Sequence, residues 1–174
     1  MNAPGSPSSP LQTTYLTFSF CPATCDHFLP VGNPAPPRPR SPESNTLFIT
    51  ASGVISNTAS LYSVFDGLEA YGIRDYFEDV TLSSVTGYRK PHPGIFQIAL
   101  REMQAKAEEC AYVGDTLSRD VIGAKRMHFG AAIQIKSFLS NQKDEGVDSV
   151  WRPDHVVEKI LDIVPYLEKL NGRA

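Results

Sequence analysis

Residues 112–124 of this 174-residue chain have the sequence Tyr-Val-Gly-Asp-Thr-Leu-Ser-Arg-Asp-Val-Ile-Gly-Ala, a strand, turn and helix in succession. Residues 111–113 form an apolar run typical of a buried strand, Gly114 and Asp115 form the turn, and residues 118–127 have helical spacing. In open α/β sheets, ligands bind beyond the carboxyl ends of parallel strands. The pattern therefore predicts that Asp115 lies at a ligand-binding edge.

The same alternation extends on both sides of this segment and predicts a parallel α/β sheet. The further predicted strands cover residues 47–55, 80–83 and 131–135. The further predicted helices cover residues 59–71, 95–103 and 156–170, with a second helical segment expected to start at Pro165. Residues 137–153 lack periodicity and are predicted to form a surface loop.

The amino-terminal third differs in composition from the rest of the chain. Ten of the fourteen prolines lie within residues 1–42, which disfavours regular hydrogen-bonded structure there. Residues 34–42 favour an extended polyproline linker, the alternative being a ligand for an SH3-type domain. Residues 15–20, Tyr-Leu-Thr-Phe-Ser-Phe, are the exception and predict a strand. We therefore expect a Pro-rich, mostly irregular segment at 1–46 and an α/β core at 47–174.

Charge and hydropathy exclude several classes of protein. With 16 basic and 19 acidic residues, the chain lacks the basic surface typical of nucleic-acid binding. No apolar run approaches the roughly 18 to 20 residues of a membrane-spanning helix. The first 37 residues contain no Lys or Arg that could begin a secretory signal, and three cysteines fit a reducing compartment. We expect a soluble cytoplasmic protein that binds neither nucleic acid nor membranes.

Asp115 and Asp120 are candidate metal ligands. Asp120 falls in the first turn of the predicted helix, so both carboxylates can face one crevice and bind one hard cation. Mg²⁺ typically takes one or two protein carboxylates and completes its octahedron with water and substrate oxygens. Alternatively, Asp115 caps the turn and Asp120 complements the helix dipole. The spacing alone supports the two interpretations equally.

Ser56, Asn57 and Lys90 are candidate phosphate-binding residues. Ser56 and Asn57 stand where a strand gives way to a helix, and backbone N–H groups beside a hydroxyl suit an oxyanion there. Ser56 could equally be a simple helix cap. Lys90 precedes Pro91, which holds it in extended geometry at the next strand-to-helix junction. A solvated surface lysine is the alternative for Lys90.

Three segments together resemble the second, third and fourth motifs of the haloacid dehalogenase-like (HAD) hydrolases in order and spacing. They are Ser56-Asn57, residues 87–96 (Gly-Tyr-Arg-Lys-Pro-His-Pro-Gly-Ile-Phe) and residues 112–124, and the likeness covers about residues 53–170. The resemblance implies a Rossmann-like, three-layer parallel sheet with helices on both faces. It also implies that Ser56 binds a phosphoryl group, that Lys90 offsets its charge, and that Asp115 and Asp120 position Mg²⁺. Most such relatives are phosphatases that form an aspartyl-phosphate, and their substrates are usually small metabolites.

The first motif of that family, Asp-x-Asp-x-Thr, is not present in the sequence. Its nearest positional match is residues 16–22, where Ser19 and Cys21 stand at the nucleophile and acid/base positions. In this family the nucleophile strand lies between the strands that carry the second and fourth motifs, so residues 15–20 are expected in the centre of the sheet. About 34 residues separate Cys21 from Ser56, too few for the helical cap domain that many relatives insert there.

Two functions from different classes follow from these motifs. The first is an enzyme, a Mg²⁺-dependent HAD-like phosphatase for a small phosphorylated metabolite, although the sequence does not show the nucleophilic Asp that such catalysis needs. The second is a non-catalytic module that keeps a phosphate and metal pocket and acts by binding a ligand or partner. A third explanation is that the sequence is truncated or altered, so that residues 1 to about 50 are not native to the family fold. The sequence indicates neither the substrate nor the oligomeric state.

Overall fold

A computed structural model describes residues 15–19, 51–136, 144, 146–147 and 150–171. These residues contain a six-stranded sheet of order β3-β2-β1-β4-β5-β6, in which all neighbouring strands are parallel. The strands are β1 (Tyr15–Ser19), β2 (Ala51–Ser56), β3 (Asp79–Leu82), β4 (Cys110–Gly114), β5 (Ala131–Ile135) and β6 (His155–Val157). The helices are α1 (Ser63–Ala70), α2 (Ser83–Thr86), α3 (Pro93–Glu102), α4 (Ile122–Arg126) and α5 (Ile163–Leu170).

Alternate residues of the central strands point to opposite faces of the sheet, as the strand repeat requires. Ile55 and Tyr112 pack with Phe96 of α3 on one face, where the Phe96 and Tyr112 rings meet edge to face with centroids 5.4 Å apart. Their chain neighbours Val54 and Val113 lie on the other face. There they pack with residues of α1 and α5: Val64, Leu68, Ile163 and Leu167. The predicted three-layer α/β fold is confirmed.

β1 occupies the centre of the sheet and is parallel to both neighbours. Its residue Ser19 is in register with Ile55 of β2, and Phe18 is in register with Val113 of β4. The backbone of β1 therefore joins the two halves of the sheet, and both of its edges are paired. This confirms the strand predicted from residues 15–20 and its place between the second and fourth motifs. Residues 20–50 lie outside the described residues, so the absence of a cap domain and the irregular Pro-rich segment stay predictions.

The carboxyl-terminal region differs from its sequence prediction. A helix was expected from residue 156, but His155–Val157 form β6 beside β5, and a 3₁₀ turn (Ile160–Asp162) precedes α5. Two consecutive valines favour an extended backbone, and pairing with Ile133–Ile135 supplies their hydrogen-bond partners. Pro165 lies in the first turn of α5, where its missing N–H removes no intrahelical bond.

The helix predicted over residues 59–71 begins later, at Ser63. The Ser60 hydroxyl accepts hydrogen bonds from the backbone N–H groups of Tyr62 and Ser63, at 3.2 and 3.0 Å, and so provides an acceptor for two amides where α1 begins. Leu61, inside the predicted bounds, therefore lies before the helix and is 49% exposed. Among the described residues, no helix is long and apolar enough to cross a membrane.

We expect Cys110 to resist alkylation in the folded protein. The thiol is buried at the start of β4, where it donates to the Lys106 carbonyl at 3.1 Å, and burial raises its pKa to about 12. At pH 8 the thiolate fraction is then on the order of one in ten thousand. Iodoacetamide followed by peptide mass mapping should modify Cys110 only after denaturant is added. Labelling of Cys110 at equal rates in native and unfolded protein would contradict this burial.

Candidate active site

A buried ion pair between Lys90 and Asp120 lies at the carboxyl edge of the sheet. The Lys90 Nζ is 2.8 Å from Asp120 Oδ1, and only 3% and 2% of the two side chains are exposed. The same Nζ donates to the carbonyl of Ile55 at 2.9 Å, one residue before Ser56, and to the Tyr112 hydroxyl at 3.2 Å. Lys90 is therefore not a solvated surface lysine, since its ammonium links the ends of β2 and β4.

The Asp120 carboxylate receives hydrogen bonds on both oxygens. Oδ1 accepts from the Tyr112 hydroxyl at 3.0 Å as well as from Lys90, while Oδ2 accepts from the Thr116 amide at 3.1 Å and its hydroxyl at 2.6 Å. Burial alone would raise the pKa of Asp120, but the Lys90 charge and these hydrogen bonds outweigh it and hold that pKa below its usual value. Asp120 is therefore ionised, and direct ligation of a cation would require one of its four donors to leave.

A single π-helical turn, Leu117–Val121, brings Asp120 back against the end of β4. The amides of Asp120 and Val121 both donate to the Thr116 carbonyl, at 3.0 and 3.2 Å. Gly114 makes this close approach possible, because a Cβ there would lie 2.4 Å from the Cβ of Asp120. The helix predicted from residue 118 thus begins with a wider turn, a feature often found at functional sites.

Asn57 holds the backbone of Lys90. Its Nδ2 donates to the Lys90 carbonyl at 3.0 Å, and its Oδ1 accepts from the Lys90 amide at 2.7 Å. The amide predicted to bind phosphate is thus occupied by the backbone of a second candidate residue. Direct binding of phosphate by Asn57 would require these bonds to open, so in this structure its contribution is to orient Lys90.

Three further candidate residues lie at the same edge of the sheet. Ser56 is buried at the end of β2, and Asp115 is half-buried immediately after β4. Ser19 ends β1 between them, in register with Ile55. Cys21 lies outside the described residues. The structure therefore brings one candidate from each of three adjacent strands to one edge, beside the buried Lys90–Asp120 pair.

Four residues of the site were not singled out by the sequence analysis: Tyr112 and Thr116, which contact Asp120, and Gln134 and Asp144, which contact the backbone after β4. The sequence pattern predicts Tyr112 only as part of an apolar strand. A buried tyrosine hydroxyl generally needs a polar partner, so its position in a buried strand could have indicated a contact with a polar site. Asp144 lies in an aperiodic segment, where no pattern indicates which side chain turns back toward the sheet. Among the described residues, no group of three or more His, Cys, Asp or Glu side chains is arranged to hold a metal ion.

Comparison with known proteins identifies relatives of this chain. The family model described as haloacid dehalogenase-like hydrolase matches residues 52–128. A glyceraldehyde 3-phosphate phosphatase from Pyrococcus furiosus is 33% identical over 100 residues, which cover 56% of this chain and 40% of that protein. The chain spans about half the length of the curated relatives that it matches.

Solved structures show the same likeness. A HAD phosphatase from Thermococcus onnurineus superposes with a TM-score of 0.55 at 25% identity, covering 67% of this chain and 50% of that one. The magnesium-bound HAD-hydrolase YfnB from Bacillus subtilis has a TM-score of 0.56 at 19% identity, covering 67% and 49%. The family match runs from β2 through α4 and contains Ser56, Lys90, Asp115 and Asp120. The region from β2 through α4 therefore belongs to the haloacid dehalogenase-like hydrolase family, and the relatives that this chain resembles include phosphatases.

Proposed function

We propose that this chain is a phosphatase-type HAD-like domain that binds the phosphate group of a small metabolite together with Mg²⁺ but does not hydrolyse it. The observation that carries the proposal is the buried Lys90–Asp120 pair at the carboxyl edge of the sheet. Removing two charges from water is costly, and a buried ion pair is weak evidence for stability by itself. An ammonium fixed beside the ends of β2 and β4 is instead suited to an oxyanion bound there.

Phosphate would bind to Lys90 and Ser56. The Lys90 ammonium has three N–H donors, and it contacts Asp120, the Ile55 carbonyl and, at a longer distance of 3.2 Å, the Tyr112 hydroxyl. A phosphate oxygen replacing the Tyr112 hydroxyl would gain a charge-assisted hydrogen bond while the contact with Asp120 persists. Ser56, one residue beyond Ile55, places a hydroxyl at the same edge.

The donor chemistry of the site fits Mg²⁺ through Asp115. Hard oxygen donors suit this ion, which needs only one or two protein carboxylates if water and phosphate oxygens complete its shell. Asp115 supplies one such carboxylate, whereas the oxygens of Asp120 already accept four hydrogen bonds. Asp120 would therefore serve the site by holding Lys90. When bound, the ion would neutralise charge on the phosphate oxygens.

Hydrolysis through a covalent intermediate requires a nucleophile, and the relevant strand end carries serine. Ser19 is the last residue of β1, one position beyond the Phe18–Val113 pair and level with Ile55. A carboxylate at this position could attack phosphorus directly. A serine hydroxyl would first need a neighbouring base to remove its proton. This difference favours a phosphate-binding module derived from a hydrolase over an active phosphatase.

Replacing Ser19 and Cys21 together by Asp is expected to create Mg²⁺-dependent hydrolysis of a generic phosphate ester, while the unmodified chain stays at background. We expect the double variant to exceed its matched control, Ser19→Asn with Cys21→Asn, by about 100-fold or more, the lower end of what a positioned acid or base contributes. Release of inorganic phosphate with and without Mg²⁺ measures this. The non-catalytic function is overturned if the unmodified chain hydrolyses the ester well above background and Asp115→Asn abolishes that hydrolysis. That result would establish an active phosphatase.

A further inference from the structure

Asp144 binds the backbone just beyond Asp115. Its Oδ2 accepts a hydrogen bond from the Leu117 amide at 2.6 Å, and its Oδ1 accepts one from the Ser118 amide at 3.0 Å. These amides begin the π-helical turn that carries Asp120, and the first amides of a helical segment have no partners within it. The Asp144 carboxylate supplies an acceptor to both, through charge-assisted bonds of the stronger kind.

Gln134 connects this contact to Asp115. Gln134 lies within β5, one residue before its carboxyl end, and its Nε2 is 3.3 Å from the Asp115 carbonyl and 3.5 Å from Asp144 Oδ2. Asp144 and Gln134 thus hold the backbone at residues 115, 117 and 118. The residue between them, Thr116, is held by Asp120. The whole segment from β4 to the turn is therefore fixed by side chains from two other parts of the chain.

We infer that Asp144 is a positioning residue for the magnesium site, acting on the backbone that sets the direction of the Asp115 carboxylate. The inference rests on the proposed function, because it presumes that Asp115 binds the ion. Without Asp144, the Leu117 and Ser118 amides lose their acceptor and the turn relaxes, so Asp115 loses its fixed direction. Groups that orient metal ligands typically change metal affinity by about 10- to 100-fold when they are removed.

The first test is a titration of the full chain with Mg²⁺ by calorimetry, and with Mn²⁺ by electron paramagnetic resonance. Asp144→Ala is expected to weaken binding of either ion by about 10-fold. Asp144→Asn keeps an oxygen acceptor and should recover most of that loss. Asp154→Ala is the matched control, because Asp154 also accepts a backbone hydrogen bond, from the Ala132 amide at 2.7 Å, and pairs with Lys125, but near the opposite end of β5. The Asp154→Ala variant should bind both metal ions with the affinity of the unmodified chain.

The second test is amide hydrogen exchange in the same variants without metal. Exchange at Thr116 and Asp120 should be faster in Asp144→Ala than in the unmodified chain, and unchanged in Asp154→Ala. If the unmodified chain binds neither ion, the proposed metal site fails, and exchange alone decides whether Asp144 orders the turn. The positioning role is overturned if exchange in Asp144→Ala is unchanged, or if both alanine variants lose metal affinity equally.

Discussion

Lys90→Met is expected to lower the free energy of unfolding by about 3–5 kcal/mol at pH 7, because it leaves the Asp120 carboxylate buried without its cation. Methionine approximates the length of the lysine stem, so little apolar packing is lost. Urea denaturation followed by circular dichroism measures the change. Lys125→Met is the matched control: Lys125 also pairs with an aspartate, Asp154, but those side chains are 21% and 34% exposed. We expect that variant to lose only about 0–1 kcal/mol.

The unfolding free energy lost in Lys90→Met should become smaller as pH falls. In the unmodified chain the pKa of Asp120 is lowered by folding, so its stabilising contribution is present above the unfolded pKa of about 3.9 and is lost as pH falls through the lower folded value. In Lys90→Met, burial without the cation raises that pKa above the unfolded value. The free-energy cost of burying the unpaired Asp120 carboxylate then decreases as pH falls, because protonation removes its charge. The stability gap between the two proteins should therefore narrow between pH 7 and pH 4.

A second variant separates stability from ligand binding. Lys90→Met with Asp120→Leu removes both charges, and replacing a buried pair by apolar residues is often neutral or stabilising. We expect this double variant to recover most of the stability lost in Lys90→Met but to show no phosphate-dependent rise in melting temperature. A Lys90→Met protein as stable as the unmodified chain at pH 7 would show that the pair is not buried as described.

Gly114→Ala is expected to destabilise the protein by about 1–3 kcal/mol and to weaken phosphate binding as well. The added Cβ would lie 2.4 and 2.5 Å from the Cβ and Cγ of Asp120, so the carboxylate that holds Lys90 must move. Thermal unfolding with and without inorganic phosphate reports both effects. A Gly114→Ala protein with unchanged phosphate affinity would contradict the proposed role of Asp120 in holding Lys90.

Gly72→Ala provides the control for this change. Gly72 has a φ of +66° and no atom within 4 Å of an added Cβ, so only backbone strain opposes alanine there. The expected loss is about 1–2 kcal/mol, with phosphate binding unchanged. Comparing the two variants separates the effect of a steric clash at the site from the effect of backbone strain away from the Lys90–Asp120 pair.

Local patterns were sufficient to predict the elements that place the site. The strand, turn and helix around Asp115 could be predicted because apolar periodicity and a glycine at the turn are properties of adjacent residues. The central position of β1 was instead implied by the family resemblance, in which the nucleophile strand lies between the strands that carry the second and fourth motifs.

Features that depend on distant partners could not be predicted in the same way. β6 is a strand because β5 lies beside it, whereas its own three residues also fit the start of a helix. The hydrogen bonds between Asn57 and the Lys90 backbone join two loops that are 33 residues apart in sequence. Predicting them would have required knowing how close these loops lie in the fold. The hydrogen bonds of Asp144 depend on how an aperiodic segment returns to the sheet, and no local preference encodes that path.

The central place of β1 also has a consequence for the order in which the protein can assemble during synthesis. β1 is translated before the other five described strands, yet its partner β4 lies far along the chain, with Tyr15 in register with Cys110, 95 residues later. Pairing over such separations closes large loops and slows folding relative to local contacts. A nascent chain that ends before β4 therefore holds β1 with one edge exposed. We expect ribosome-bound intermediates of this length to depend on chaperones that shield unpaired strands.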